Sequence, residues 1–110
     1  MAGTMSPAEV AALRHMMGLS MDALARLLGV NPRTVRSWES GRDVLSESSA
    51  QAVWALTRRH DELARQYLAA GVPIGIARDM GADSSPPRGW YLAAAGRALM
   101  AEPGLTVGWL

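Results

Sequence analysis

The chain contains no cysteine and no lysine. Without cysteine there is no disulfide framework, no thiolate zinc site and no cysteine nucleophile, and a reducing compartment suits the protein. Without lysine, all 11 cationic side chains are arginine. A GC-rich coding bias, visible also in the abundant alanine and glycine, accounts for that choice, although guanidinium is also the better fork for guanine edges and phosphates. No apolar run reaches the roughly 18 residues of a membrane span. Met1 to Met5 show neither the basic stretch nor the apolar stretch of a secretory leader. The expectation is a cytoplasmic protein with no membrane partner. A strong net charge is also missing. The formal value is +1, which by itself says little about nucleic acid.

What the chain does have is 110 residues, 49% of them hydrophobic. That composition belongs to a folded globular protein rather than a disordered one. A chain this small buries only about two-thirds of its unfolded surface and gains from a partner subunit. Charge is unevenly spread. Arg26, Arg33, Arg36 and Arg42 fall in one short stretch whose single acid is Glu39.

Helical punctuation dominates the first half. Ser6-Pro7-Ala8-Glu9 reads as a capping box with proline at the first helical position, and Val10, Leu13, Met16 and Met17 recur at the helical period until Gly18. Ser20 caps a second helix whose stripe is Leu24, Leu27 and Leu28, stopped by Gly29. Asn31-Pro32 opens a third, with Val35 and Trp38 inside and Gly41 as its stop. Ser46 caps a fourth helix over 47–70, with Ala50, Val53, Trp54, Thr57, Leu63, Ala64, Tyr67 and Leu68 as its stripe. At about 24 residues it would be near 36 Å long, more than a three-helix core can cover. Over 71–77 the pattern alternates, but Pro73 and Gly75 demote it to an edge strand. A loop covers 79–88. A fifth helix follows over 87–101, with Tyr91, Leu92, Ala95, Leu99 and Met100 as its apolar positions. Glu102-Pro103-Gly104 turns the chain into a last strand over 105–110. The fold class expected is mainly α: a helix-turn-helix head, a long fourth helix, and a small strand-helix-strand appendage. The division is 1–57 for the head and 58–110 for a C-terminal dimerisation region.

The segment from Ser20 to Gly41 carries the chemistry. Two helices crossing at close range need a small residue, which is Ala25. The turn between them needs a left-handed backbone, which Gly29 supplies. Val30, Val35 and Trp38 fill the wedge. Arg33, Arg36 and Ser37, with Pro32 and Thr34, are left at the outer, N-terminal end of the third helix. In this arrangement that end meets base edges in a major groove.

Leu24-Ala25-x-x-Leu28-Gly29-Val30 followed by Thr34-Val35-x-x-Trp38-Glu39-x-Gly41 resembles the phage repressor/Cro-like (XRE-family) helix-turn-helix regulators, over about Val10 to Leu56. The resemblance implies that Arg33, Arg36 and Ser37 contact bases. It also implies that Ser20, Met21, Thr34 and Arg42 lie beside phosphates, and that Arg14 pairs with Glu39. Met21 departs from the hydrogen-bonding residue common at its position, which weakens a phosphate clamp there. A partly exposed Arg14–Glu39 pair would be worth ~1 kcal/mol or less. Pro87-Arg88-Gly89-Trp90 before Ala93-Ala94-Ala95 resembles small anti-CRISPR-associated autoregulators, which implies dimerisation through the C-terminal part.

Plainer roles suit the remaining residues. Trp38 is core, and Trp54, Trp90 and Trp109 are read as packing rather than base stacking. His15 and His60 have no ligand cluster around them, so no metal is expected. Arg58-Arg59-His60, followed at once by Asp61 and Glu62, reads as a solvated helix face. Asp79 and Asp83 are loop acids that could pair with an arginine across a dimer. No nucleophile–base pair, paired carboxylates or phosphate-binding glycine loop supports catalysis, and no cofactor is implied.

The function these features imply is a homodimeric, sequence-specific regulator of transcription. It would act as a repressor on duplex DNA at an inverted repeat, and it is not an enzyme. One alternative is a protein-interaction module, antitoxin-like or polymerase-binding, that uses the head as a scaffold. A lesser one is RNA binding by the same basic face.

Overall fold

The computed structural model describes residues 5–81 and 84–110. Its order is α1 (Pro7–Met16), α2 (Met21–Leu28), α3 (Pro32–Ser40), α4 (Glu47–Ala70), β1 (Ile74–Ile76), α5 (Arg88–Ala101) and β2 (Val107–Trp109). Asp83, read from sequence as a loop acid, lies outside the described residues.

Local chemistry sets the boundaries. Ser6 and Glu9 form the reciprocal capping box: the Ser6 amide donates to Glu9 Oε1 at 2.7 Å and the Glu9 amide to Ser6 Oγ at 3.1 Å. The Ser20 hydroxyl accepts the Ala23 amide at 3.0 Å, and Asn31 Oδ1 accepts the Arg33 amide at 2.9 Å. Both satisfy amides that have no partner inside the helix. Helices α2 and α3 end on Gly29 and Gly41, with φ of 71° and 82°, a region open to glycine at no steric cost.

The main core is built by the head. Val10, Met17, Leu24, Val35, Trp38 and Val53 are buried together, and Trp90 from α5 joins them. A smaller core beside it holds Ile74, Ile76, Ala95 and Ala98, with Tyr67, Leu68, Leu105 and Val107 packed around. The strands β1 and β2 pair in parallel, Ile74 opposite Val107 and Ile76 opposite Trp109, with α5 as the crossover. Strand, helix and strand therefore form one small unit, as the sequence predicts, and both strands are edges.

Two helix faces differ from expectation. In α4 the buried positions are Ala50, Val53, Leu56, His60 and Ala64, whereas Trp54 is 37% exposed. The predicted stripe included Trp54 and passed over Leu56 and His60. In α5 the buried residues are Trp90, Ala94, Ala95 and Ala98. Leu92 and Met100, placed on the inner face from sequence, are exposed, Met100 to 86%. Nearly every residue of α5 is apolar or small, so no period marks a face. The face used is the alanine one, which lets α5 approach its neighbours closely. Helix α5 also covers much of α4, so the apolar surface left over is smaller than the sequence suggests: Val53 and Trp90 are buried within the chain itself.

Candidate nucleic-acid interface

Helix α3 presents two faces. Val35 and Trp38 point into the core, and Arg33 and Arg36 are exposed on the opposite side. Arg33, Arg36, Ser37, Ser40 and Arg42 line one shallow concavity. Among the described residues its lining carries three guanidinium groups and no carboxylate, although the Asp43 carboxylate adjoins it at Ser37. Guanidinium only donates, so the surface offers hydrogen-bond donors and positive charge to whatever docks there.

The C-terminal turn of α3 folds back on this face. The carbonyl of Ser37 accepts the Arg42 amide at 3.0 Å, the Asp43 amide at 3.3 Å and the Ser40 hydroxyl at 3.1 Å. The Ser37 hydroxyl in turn donates to the Asp43 carboxylate. Ser40 and Asp43 are the two residues here that sequence reading missed. Ser40 was recoverable, since it lies four residues after Arg36 on the same helical face. Asp43 lies beyond the helix, where no periodicity applies.

The other predicted contacts form a second group. Ser20 is exposed at the start of α2, its hydroxyl already engaged as the cap. The Met21 side chain packs against the main core. Its amide opens α2 and has no acceptor inside the helix. Pro32 and Thr34 are half-buried at the start of α3, and the Thr34 amide donates to the Asn31 carbonyl at 2.8 Å. Arg33, Arg36, Ser37 and Arg42 thus share one surface, while Ser20 and Met21 sit at a separate helix end.

The support behind α3 is stronger than expected. Arg14 grips Glu39 with two bonds, Nε to Oε2 at 2.6 Å and Nη2 to Oε1 at 2.8 Å, and its Nη1 donates to the Leu19 carbonyl at 3.1 Å. The two side chains are 11% and 8% exposed. The expectation of a partly exposed, weak pair is therefore corrected: this is a largely buried fork that ties α1 and the α1–α2 turn to the end of α3. The Glu39 bond holds the Arg14 guanidinium above its ordinary pKa.

His60 also departs from the reading of 58–60 as a solvated face. Arg58 and Arg59 are exposed, but His60 is fully buried. Its Nε2 lies 2.9 Å from the Trp90 carbonyl and its Nδ1 3.0 Å from Arg97 Nη1. Since Arg97 can only donate, Nδ1 accepts and Nε2 carries the proton given to Trp90. Among the described residues no group of His, Asp and Glu could hold a metal ion, and no helix is long and apolar enough to cross a membrane.

No curated protein matches the chain. Residues 10–53, which hold most of α1, all of α2 and α3 and the start of α4, match the helix-turn-helix family model, and the head has that fold.

Proposed function

We propose that the chain is a sequence-specific transcriptional repressor that binds duplex DNA as a homodimer in the cytoplasm. The observation that carries this reading is the outward placement of Arg33 and Arg36 in the concavity on α3, where neither forms an ion pair with a carboxylate among the described residues. Arg33, Arg36 and Ser37 read base edges. Ser20, Met21, Thr34 and Arg42 lie along the phosphates, Met21 through its amide, with Pro32 at the groove edge. Residues 58–110 join two copies, so that the recognition helices sit about 34 Å apart in successive major grooves of an inverted repeat. Support for that role of the tail is its exposed apolar surface, with Met100 at 86%, Leu110 at 84% and Trp109 at 49%.

Selection from a random duplex pool tests the reading. The wild type should enrich a two-fold symmetric site whose affinity falls steeply with salt. Arg33→Glu with Arg36→Glu should weaken binding by about a hundredfold or more while leaving the circular dichroism spectrum unchanged. Enrichment of no duplex, or binding indifferent to the charge reversal, sinks the DNA assignment. Sedimentation of the full chain at tens of micromolar should give a dimer, and a monomer there ends the homodimer. The exposed tail residues equally suit an interaction module on a helix-turn-helix scaffold. That reading predicts a protein partner retained by the charge-reversed variant. Competition by RNA hairpins would instead favour RNA.

A further inference from the structure

Ser37 lines the arginine concavity, yet its hydroxyl proton is already given to another side chain at the surface. A serine hydroxyl has one donor and two acceptor positions. Here the donor goes to the Asp43 carboxylate. The carbonyl of Ser37 is likewise taken, by the Arg42 and Asp43 amides and the Ser40 hydroxyl. What remains pointing out from Ser37 is lone pairs. The surrounding Arg33, Arg36 and Arg42 offer only donors. Ser37 is thus an acceptor among donors, and an acidic residue outside the concavity makes it so; Ser40, nearer the end of the helix, gives its own proton to the Ser37 carbonyl.

We propose that Asp43 is a positioning residue that commits Ser37 to reading an exocyclic amino group in the major groove, cytosine N4 or adenine N6. This rests on the DNA-binding reading above and names what one position of the site selects. The major-groove code supplies the logic. Guanine O6 and N7 and thymine O4 are acceptors, so they suit the arginines and repel an acceptor-only hydroxyl. Cytosine and adenine each place an amino donor in the same groove. Arg33 and Ser37 are four residues apart on one helical face, close enough for the arginine to take a guanine while Ser37 takes the amino group of its paired cytosine or of a neighbouring base. An unpaired serine would rotate its hydroxyl to suit either kind of edge and discriminate little.

The test is a double-substitution cycle on the full-length chain. A random duplex pool first defines the site for the wild type. Duplexes differing at single base pairs then measure discrimination for the wild type, Asp43→Ala, Ser37→Ala and the double variant. The wild type should prefer an amino-bearing base at one position per half-site by roughly threefold to tenfold, the value of one hydrogen bond. Asp43→Ala should flatten that preference while leaving the guanine preferences set by arginine intact. In the Ser37→Ala background, removing Asp43 should change discrimination no further. Asp43→Asn, which keeps an acceptor oxygen and drops the charge, should retain the preference. The proposal is overturned if Asp43→Ala weakens all duplexes alike, as a merely structural turn residue would. It is equally overturned if Asp43→Ala shifts base preference to the same extent with and without Ser37, since Asp43 would then read the base itself. Failure of the wild type to enrich any duplex removes the DNA reading and this inference together, an outcome distinct from the other two.

Discussion

Glu39 shows how much one carboxylate can hold when it is withdrawn from water. Both oxygens are used by Arg14, and the third arm of that guanidinium reaches the Leu19 carbonyl. Replacing Glu39 by alanine leaves a cation with little access to solvent and no counter-charge, held only by the Leu19 carbonyl. The expected cost is about 3 kcal/mol, read as a lowered urea midpoint. Replacing both residues with apolar side chains of similar size should recover most of that loss, because no charge is then stranded. A single-substitution cost within a few tenths of a kcal/mol would show that the pair is screened after all. The partnership itself was implied by the resemblance to the helix-turn-helix regulators. Its burial was not, because burial depends on how tightly the α1–α2 turn closes around it. Asp43 was unreadable for a different reason: its meaning comes from a hydroxyl six residues earlier, across a turn whose shape no pattern of residues announces.

At the scale of the element, legibility followed punctuation. The starts of α1 to α4 and the stops at Gly29 and Gly41 fall where serine, asparagine, proline and glycine predicted, because each cap is a short-range bargain between neighbouring atoms. Faces were legible only where polar and apolar residues alternate. The face of α3 was correct, with valine and tryptophan opposite arginine. The face of α5 was not, since a run of alanines offers no contrast. The inward turn of His60 escaped for a related reason, since its neighbours Arg58, Arg59, Asp61 and Glu62 mark that stretch as polar. That histidine bridges α4 and α5. Burial holds its pKa below the usual 6.5, and the nearby Arg97 cation pushes the same way. The Trp90 carbonyl and Asp61 pull against them without prevailing. The folded chain therefore takes up this proton at lower pH than the unfolded chain does. The stability His60 contributes is complete above about pH 6.5 and is lost as pH falls below that value. Protonation would turn Nδ1 into a donor facing the Arg97 guanidinium. Urea unfolding from pH 8 to pH 5 should show a destabilisation that a His60→Gln variant lacks. Equal pH slopes for the two proteins would dismiss the histidine as the cause.

At the scale of the whole molecule, the head and the tail are packed as one body. Trp90 of α5 sits in the main core, edge-on to His60 with ring centroids 4.7 Å apart. Nearby, Gly18 and Gly89 bring main chain against main chain: a Cβ added to either would lie inside the contact distance of the other's carbonyl oxygen. Gly89→Ala should therefore force α5 off the head and cost about 2 kcal/mol or more. The loss should appear as a lower midpoint in a single cooperative thermal transition, because the tryptophan anchoring the tail also fills the core of the head. Two separate transitions in the wild type would mean that the halves melt independently.

The glycine contact has a mechanical meaning as well. Side chains between two packed segments act as cushions, because rotamers can yield. Bare backbone pressed on bare backbone has no such give. The loop bearing Gly18 runs through Leu19, whose carbonyl Arg14 holds, and arrives at once at Ser20, where α2 begins. Moving the front of α5 toward the head would therefore require the loop before α2 to move with it. A substitution that opens this contact is expected to disturb the start of α2 as well as the start of α5, which amide hydrogen exchange at both helix starts would read.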